Sequence, residues 1–443
     1  MACVRRPAAP NPRQPAPSDA ASPIGRMYPV CNNAQKMQDL QFRSSGSRII
    51  MRYPAGAMPA GAAWTQGGAR ASADSAGRTA TDRTQETWTM RIAQIAPLTE
   101  SVPPKLYGGT ERVVSYITEA LVDLGHDVTL FASGDSTTRA KLEPVWPRAL
   151  RLDSSIRDRV APHMLLMETV ARRAKDFDVL HFHMDYYSFS VFNRQETPYV
   201  TTLHGRLDLP EQQPVFDTFN TAPVISISNS QRQPLPQAKW LTTVYHGLPD
   251  TLYMPQPVEP RYLAFLGRIS PEKRVDTAIR IARQCGLPIR IAAKIDAADQ
   301  EYFDREIKPL FALPHVEYIG EIADHEKAEF LSGAHALLFP IDWPEPFGLV
   351  MIEAMSCGTP VIAFNRGAVP EVVDEGVSGF IVEDEISAVA AVNRLHLLPR
   401  ARVRQRFEER FTSRRMAQQY VDVYQSVIRA QKRSRFKVID STT

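Results

Sequence analysis

Residues 339–373, FPIDWPEPFGLVMIEAMSCGTPVIAFNRGAVPEVV, read as a strand end, a loop, a helix, a second strand and a second loop. The apolar run 335–339 stops at Pro340, and an acidic, proline-rich loop follows through Pro346. A helix is expected from about Phe347 to Cys357, with Gly358 as its C-terminal stop. Glu345 stands just before that helix and Glu353 roughly two turns inside it. The unbonded N–H groups of the first helical turn lie between them, and such an end attracts an anion, above all a phosphate. A phosphate flanked by two carboxylates able to hold hydroxyls points to a nucleotide-sugar.

Outward from this stretch the same alternation repeats. Apolar runs at 262–266, 289–293, 316–319, 336–339, 360–364 and 379–382 read as strands. Helical stretches at 271–284, 298–307, 325–332, 348–355 and 386–397 fill the gaps. An earlier series has strands at 91–96, 127–132, 178–183, 199–203, 224–228 and 241–245. In it the helix 110–124 faces inward through Val113, Val114, Ile117, Ala120 and Leu121, and the helix 156–177 through Val160, Met164, Leu165 and Val170. The four-proline segment 248–261 separates the two series. Strand–helix alternation means a parallel sheet wound on both faces. The expected fold class is therefore α/β, with Rossmann-like domains at 90–250 and 261–410 facing across a cleft, and a helical closing segment with a basic tail at 411–443.

Bulk properties agree. A chain of 443 residues exceeds one ordinary core. No run approaches the roughly 18 apolar residues of a membrane span. The formal charge is +3, but residues 1–89 hold eleven Arg/Lys against five Asp/Glu, so the body is slightly acidic and offers no footprint for nucleic acid. Cys3, Cys31, Cys285 and Cys357 contain no CxxC pair, which argues against a disulfide framework or a zinc site and fits a reducing, cytoplasmic setting. Residues 1–89, rich in Ala, Pro, Gly, Ser and Arg, are expected to be a disordered extension. It reads either as a dispensable tail, Met90 opening the first strand, or as a transit peptide.

Four further motifs carry chemistry. Gly108-Gly109-Thr110 opens a helix after the first strand, where backbone lacking Cβ can approach a phosphate. It is not GxGxxG, which disfavours a nicotinamide dinucleotide. His181 and His183 share a strand face, but no third ligand has a clear spacing, so no metal is expected. His204, in TTLHGR, ends a strand before Gly205 and should enter the cleft. In GRISPEKRVD, Arg268 and Lys273 span a strand end and a helix start, where two cations can converge on a diphosphate and take the place of a divalent metal. Asp176-Phe177-Asp178 has the spelling of a metal–diphosphate DxD motif, but it joins a helix to a strand. Trp343 reads equally as a stacking surface for a sugar or acceptor and as loop packing.

Taken together, APLTESVPPKLYGGTERVV, LHGR, FLGRISPEKRVD, EPFGLVMIE, MSCGTPVIA and GAVPEVVDEGVSGFIV make the chain resemble a retaining GT-B glycosyltransferase of the family-4, or group 1, type. The resemblance covers about residues 90–385 and the closing helix. It implies that Glu345 contacts the donor sugar, that Glu353 accepts from ribose hydroxyls, and that Gly348 and Leu349, beside Phe347, offer backbone N–H groups. It also implies that Arg268 and Lys273 neutralise the leaving diphosphate, that Gly109 lets the first-domain loop approach it, and that His204 lies near the reacting centre. The implied partners are a nucleotide-sugar donor, foremost a UDP-sugar, and a hydroxyl acceptor on a glycan, a lipid-linked sugar or a small molecule. No cofactor is implied. The competing readings are an isomerase of the nucleotide-sugar epimerase kind and a non-catalytic sugar-nucleotide-binding scaffold. Arg151, Arg157, Arg159, Arg172 and Arg173 are where weak peripheral contact with anionic lipid would arise, the alternative being a solvated helix.

Overall fold

The computed structural model describes residues 88–105 and 108–440, the side chains of 434–440 excepted. Most of the segment expected to be disordered, 1–87, lies outside the described residues. Two all-parallel sheets follow. The first contains β1 (Arg91–Ile95), β2 (Asp127–Ser133), β3 (Lys141–Trp146), β4 (Val179–Phe182), β5 (Tyr199–Thr202), β6 (Pro223–Ser226) and β7 (Lys239–Thr243), in the order β3-β2-β1-β4-β5-β6-β7. The second contains β8 (Tyr262–Ile269), β9 (Ile289–Ile295), β10 (Val316–Gly320), β11 (Ala334–Phe339), β12 (Val361–Phe364) and β13 (Gly379–Val382), in the order β10-β9-β8-β11-β12-β13. Central strands such as Val179–Phe182 and Val361–Phe364 are buried throughout, as a sheet covered on both faces requires.

Strand order reverses between β1 and β4 in one sheet and between β8 and β11 in the other. At such a switch point, connections leave to opposite faces and open a crevice beyond the carboxyl ends of the strands. The motifs read from the sequence lie in the loops after β1, β4, β5, β8 and β11, four of these five strands being those that flank the two switches.

The chain passes between the sheets twice, side by side. The Leu248 N–H donates to Phe411 O at 2.9 Å, and the Ser413 N–H donates to Leu248 O at 2.7 Å. A Cβ at Gly247 would lie 2.3 Å from Thr412 O, so this crossing requires glycine. After it, the helix Ser413–Asp440 buries Met416, Tyr420, Tyr424 and Ile428 at helical spacing and returns to the first sheet. Among the described residues no helix is long and apolar enough to cross a membrane.

Three local expectations are corrected. The first strand series lacked one member, because Lys141–Trp146 between 127–132 and 178–183 forms an edge strand, the one place where Pro144 is tolerated in a sheet. The helix after it is Val160–Arg173, and it buries Pro162, Leu166, Met167 and Val170 while Val160, Met164 and Leu165 stay exposed. Its apolar residues surround the axis, so periodicity could not choose a face. The helix after β11 begins at Leu349 rather than Phe347, because Gly348 at φ 82° lies outside helical space, and Glu353 therefore sits one turn in rather than two.

Candidate active site

The crevice between the two switch points is a cleft of about 970 Å³. Its walls include all nine residues singled out from the sequence: Gly109, His204, Arg268, Lys273, Glu345, Phe347, Gly348, Leu349 and Glu353. Two helix N-termini meet there. The helix Gly109–Asp123 comes from the first sheet and Leu349–Ser356 from the second, and a Cβ at Gly109 would lie 3.8 Å from Leu349 Cδ1. The clash that demands glycine is at the neighbour: a Cβ on Gly108 would lie 2.8 Å from Pro104 Cβ. Two positive dipole ends aimed at one space favour an anion between them.

The cations lie on the second-sheet wall. Lys273 is ion-paired with Glu345 Oε2, and Trp343 Nε1 donates to the same oxygen at 2.9 Å. Glu345 Oε1 has no partner among the described residues. Lys273 also lies 5.3 Å from the Trp343 ring centroid. Trp343 thus has a role that neither reading named, because its indole N–H orients the carboxylate. Behind it, a Cβ on Gly367 would lie 2.3 Å from Glu345 N, and the Ala368 N–H donates to Glu345 O at 2.9 Å. Arg268 is held by Glu272 at 2.6 Å, with Asp296 and Asp299 at 3.7 and 3.6 Å.

Glu353 is buried, and Lys327 Nζ donates to its Oε1 at 2.9 Å. Its Oε2 is buried with no partner among the described residues. Lys327 also meets Asp324 Oδ1 at 3.2 Å, where the Tyr253 hydroxyl donates at 2.9 Å. Arg112, from the first-sheet helix, pairs with Asp324 across the cleft. Sequence reading passed over Lys327, Asp324, Arg112 and Tyr253, which sit in unremarkable helical or linker segments. Only the carboxylate at Glu353 hinted that a cation had to be nearby.

On the first-sheet wall the histidines form a buried chain. Gln94 Nε2 donates to the Tyr424 hydroxyl at 3.0 Å, so Gln94 Oε1 accepts from His183 Nε2–H at 2.8 Å. His183 Nδ1 must then accept from His204 Nε2–H at 2.9 Å, leaving His204 Nδ1 with a lone pair and no partner among the described residues. His181 binds the Tyr424 hydroxyl through Nδ1 at 2.7 Å and Thr202 Oγ1 through Nε2 at 2.7 Å. Burial pushes His204 down to about 3 and holds His181, His183 and His246 well below the ordinary histidine range. The imidazoles are therefore neutral at pH 7. The ring of Phe347 is buried against His246, with centroids 4.9 Å apart. Of the five arginines considered for lipid contact, Arg151 pairs with Glu100, Arg172 with Glu168, and Arg173 with Glu143, while Arg157 and Arg159 are exposed without an ion pair among the described residues, so the basic face is neutralised only in part.

Comparison with known proteins gives two family matches. The model for "Glycosyl transferases group 1" matches residues 255–413, and that for "Glycosyltransferase Family 4" matches residues 107–269. N-acetyl-alpha-D-glucosaminyl L-malate synthase of Bacillus anthracis is 23% identical over 73% of this chain and 96% of its own length. Phosphatidyl-myo-inositol mannosyltransferase of Mycolicibacterium smegmatis is 26% identical over 68% of this chain and 83% of its own. Among solved structures, Anabaena HepE in complex with UDP and glucose superposes with a TM-score of 0.60 at 20% identity, covering 76% of this chain and 100% of HepE.

Proposed function

The chain belongs to the group 1 glycosyltransferases and has the GT-B fold, and from that premise we propose that it moves a sugar from a UDP-sugar to an acceptor hydroxyl with retention at the anomeric carbon. The observation that carries this reading is the meeting of two helix N-termini and two cations, Arg268 and Lys273, around Glu345, with the unpartnered oxygen of Glu353 in the same cleft. Arg268 and Lys273 receive the diphosphate, and Lys273 exchanges part of its contact with Glu345 for a phosphate oxygen. Glu353 Oε2 accepts from a ribose hydroxyl. Gly348 and Leu349 present N–H groups to the distal phosphate or the sugar.

As the bond from the anomeric carbon to the phosphate oxygen breaks, negative charge grows on the diphosphate. Cations and helix ends already in place stabilise it without reorganising. Glu345, oriented by Trp343, offsets the positive charge developing on the sugar, as a carboxylate does beside an oxocarbenium-like centre. The acceptor oxygen then bonds to the anomeric carbon on the face the leaving group vacates, and its proton passes to the departing phosphate oxygen. His204, neutral and with Nδ1 free to accept, holds a sugar hydroxyl rather than donating a proton. Because the fixed cations supply the charge compensation, turnover is expected to persist in EDTA. For the base, UDP is the first choice, supported by the UDP held in the similarly folded HepE structure.

A panel of UDP-, GDP- and ADP-sugars, scored by thermal shift and donor hydrolysis, tests the proposal. Stabilisation and hydrolysis with a UDP-sugar, both lost in Glu345→Ala, are expected. Indifference to every donor would overturn it.

A further inference from the structure

The first-sheet wall of the cleft also states what kind of acceptor it can receive, and this step rests on the transferase reading above. Its cations are each committed to an acid. Arg151 Nε binds Glu100 Oε1 at 2.8 Å, and Lys105 faces Asp135 at 3.4 Å. Arg112 is held by Asp324. His163 is held in place by backbone: its Nε2 accepts the Leu98 N–H at 3.3 Å, and its Nδ1–H donates to Arg159 O at 2.7 Å. One carboxylate on this wall is both exposed and without a hydrogen bond or ion pair among the described residues, that of Asp185, and desolvation in the cleft with no cation beside it raises its pKa above the ordinary value.

Asp185 follows β4 and holds φ 44°, a left-handed conformation that Asp and Asn tolerate better than other side chains with a Cβ. The adjoining turn closes through the Tyr187 N–H donating to Met184 O at 3.1 Å. Tyr187, about half exposed, stacks on His163 with centroids 5.7 Å apart and rings within 18° of parallel. A free carboxylate beside an exposed aromatic ring, with every neighbouring cation neutralised, is a poor receptor for an anion. It suits hydroxyls, which donate to the carboxylate while a ring face of the acceptor lies on the tyrosine.

We propose that Asp185 and Tyr187 form the acceptor subsite and that the acceptor is an uncharged polyhydroxyl compound, a sugar or cyclitol, rather than a carboxylate or phosphate ester. The relatives named for L-malate and phosphatidyl-inositol products would then differ from this chain in acceptor charge.

The experiment uses the full chain and the UDP-sugar that it hydrolyses. Methyl α-D-glucopyranoside and myo-inositol serve as neutral acceptors, and glucose 6-phosphate and L-malate as anionic ones, with transfer product measured beside donor hydrolysis. Transfer to a neutral member is expected, with the anionic members at least tenfold poorer in kcat/KM. Asp185→Asn keeps the backbone conformation and removes the charge. It should raise the KM of the neutral acceptor about tenfold, as loss of a hydrogen bond to a charged group does, while moving donor KM far less. Tyr187→Ala should raise acceptor KM as well. Donor hydrolysis accompanied by transfer only to anionic members, or to none, overturns this proposal alone, as does unchanged acceptor KM in Asp185→Asn. Absence of donor hydrolysis overturns the transferase reading and this one with it.

Discussion

Replacing Tyr424 by Phe tests whether the closing helix sets the tautomer of His204. The substitution keeps the ring and removes one buried hydroxyl that takes a hydrogen bond from Gln94 Nε2 at 3.0 Å and meets His181 Nδ1 at 2.7 Å. Tyr424, Gln94 and His181 are all fully buried, so water does not replace the lost oxygen. Each orphaned polar group costs roughly 1–3 kcal/mol, and removing the need to desolvate the hydroxyl returns part of that. A net loss of about 3 kcal/mol is expected, read as a lower urea midpoint with unchanged slope. The functional consequence runs further. Without the tyrosine, Gln94 is free to turn its amide, and His183 and then His204 can reverse their tautomers, which puts a proton on the His204 Nδ1 that must accept. The kcat should fall about tenfold, the cost of about 1.4 kcal/mol, with donor KM nearly unchanged. Thr118→Val is the control: its hydroxyl is buried without a partner among the described residues, so its removal should cost nothing or stabilise. If Tyr424→Phe unfolds at the wild-type urea midpoint and turns over at the wild-type rate, the chain of hydrogen bonds has no bearing on the site.

Lys273→Ala and Glu345→Ala should each lower donor turnover about 10²- to 10³-fold. The double variant should lose little more than either alone, because the two act as one pair; additive losses would show independent roles. Lys327→Met leaves Glu353 as a buried charge without its cation and should destabilise by about 3–5 kcal/mol while raising donor KM, checked by urea unfolding and donor titration. Gly367→Ala should depress kcat far more than donor binding, because its Cβ would strike the Glu345 backbone; a normal kcat would mean that the loop relaxes freely. Acid should destabilise the fold. His181, His183, His204 and His246 are neutral when folded but protonate in the unfolded chain below about pH 6.5, so the unfolded state binds more protons and stability falls with pH. Each contributes about 1.4 kcal/mol per pH unit between that pH and its depressed folded value, measurable as the difference in unfolding free energy at pH 7 and pH 5.

The α/β alternation, the two-sheet division and the strand ends and loops that carry Arg268, Lys273, Glu345 and His204 were legible in the sequence. Parallel strands write themselves as apolar runs, and the switch-point rule then brings their following loops together. Glycine signals were partly legible. Gly348 was singled out as a backbone donor, and its φ of 82° is what delays the helix to Leu349. Gly367 lay in the quoted motif without its reason, because the Glu345 backbone that it must admit is 22 positions away.

What lay beyond the sequence was every decision made by distant partners. The buried face of Val160–Arg173 was set by the sheet it packs on, since its apolar residues ring the whole helix. Trp343 became an orienting donor only when its indole met Glu345 Oε2. Lys327 became the cation of Glu353, and Tyr424 became the far end of a chain reaching His204, across gaps of 26 and 330 residues in the bonds concerned. By itself the sequence determined which chemistry reaches the cleft, because local periodicity and loop composition are short-range properties. The tertiary structure alone decided which oxygen and which nitrogen remain unbound there, because a hydrogen bond between buried groups depends on where two separate segments are packed and leaves no mark at either position.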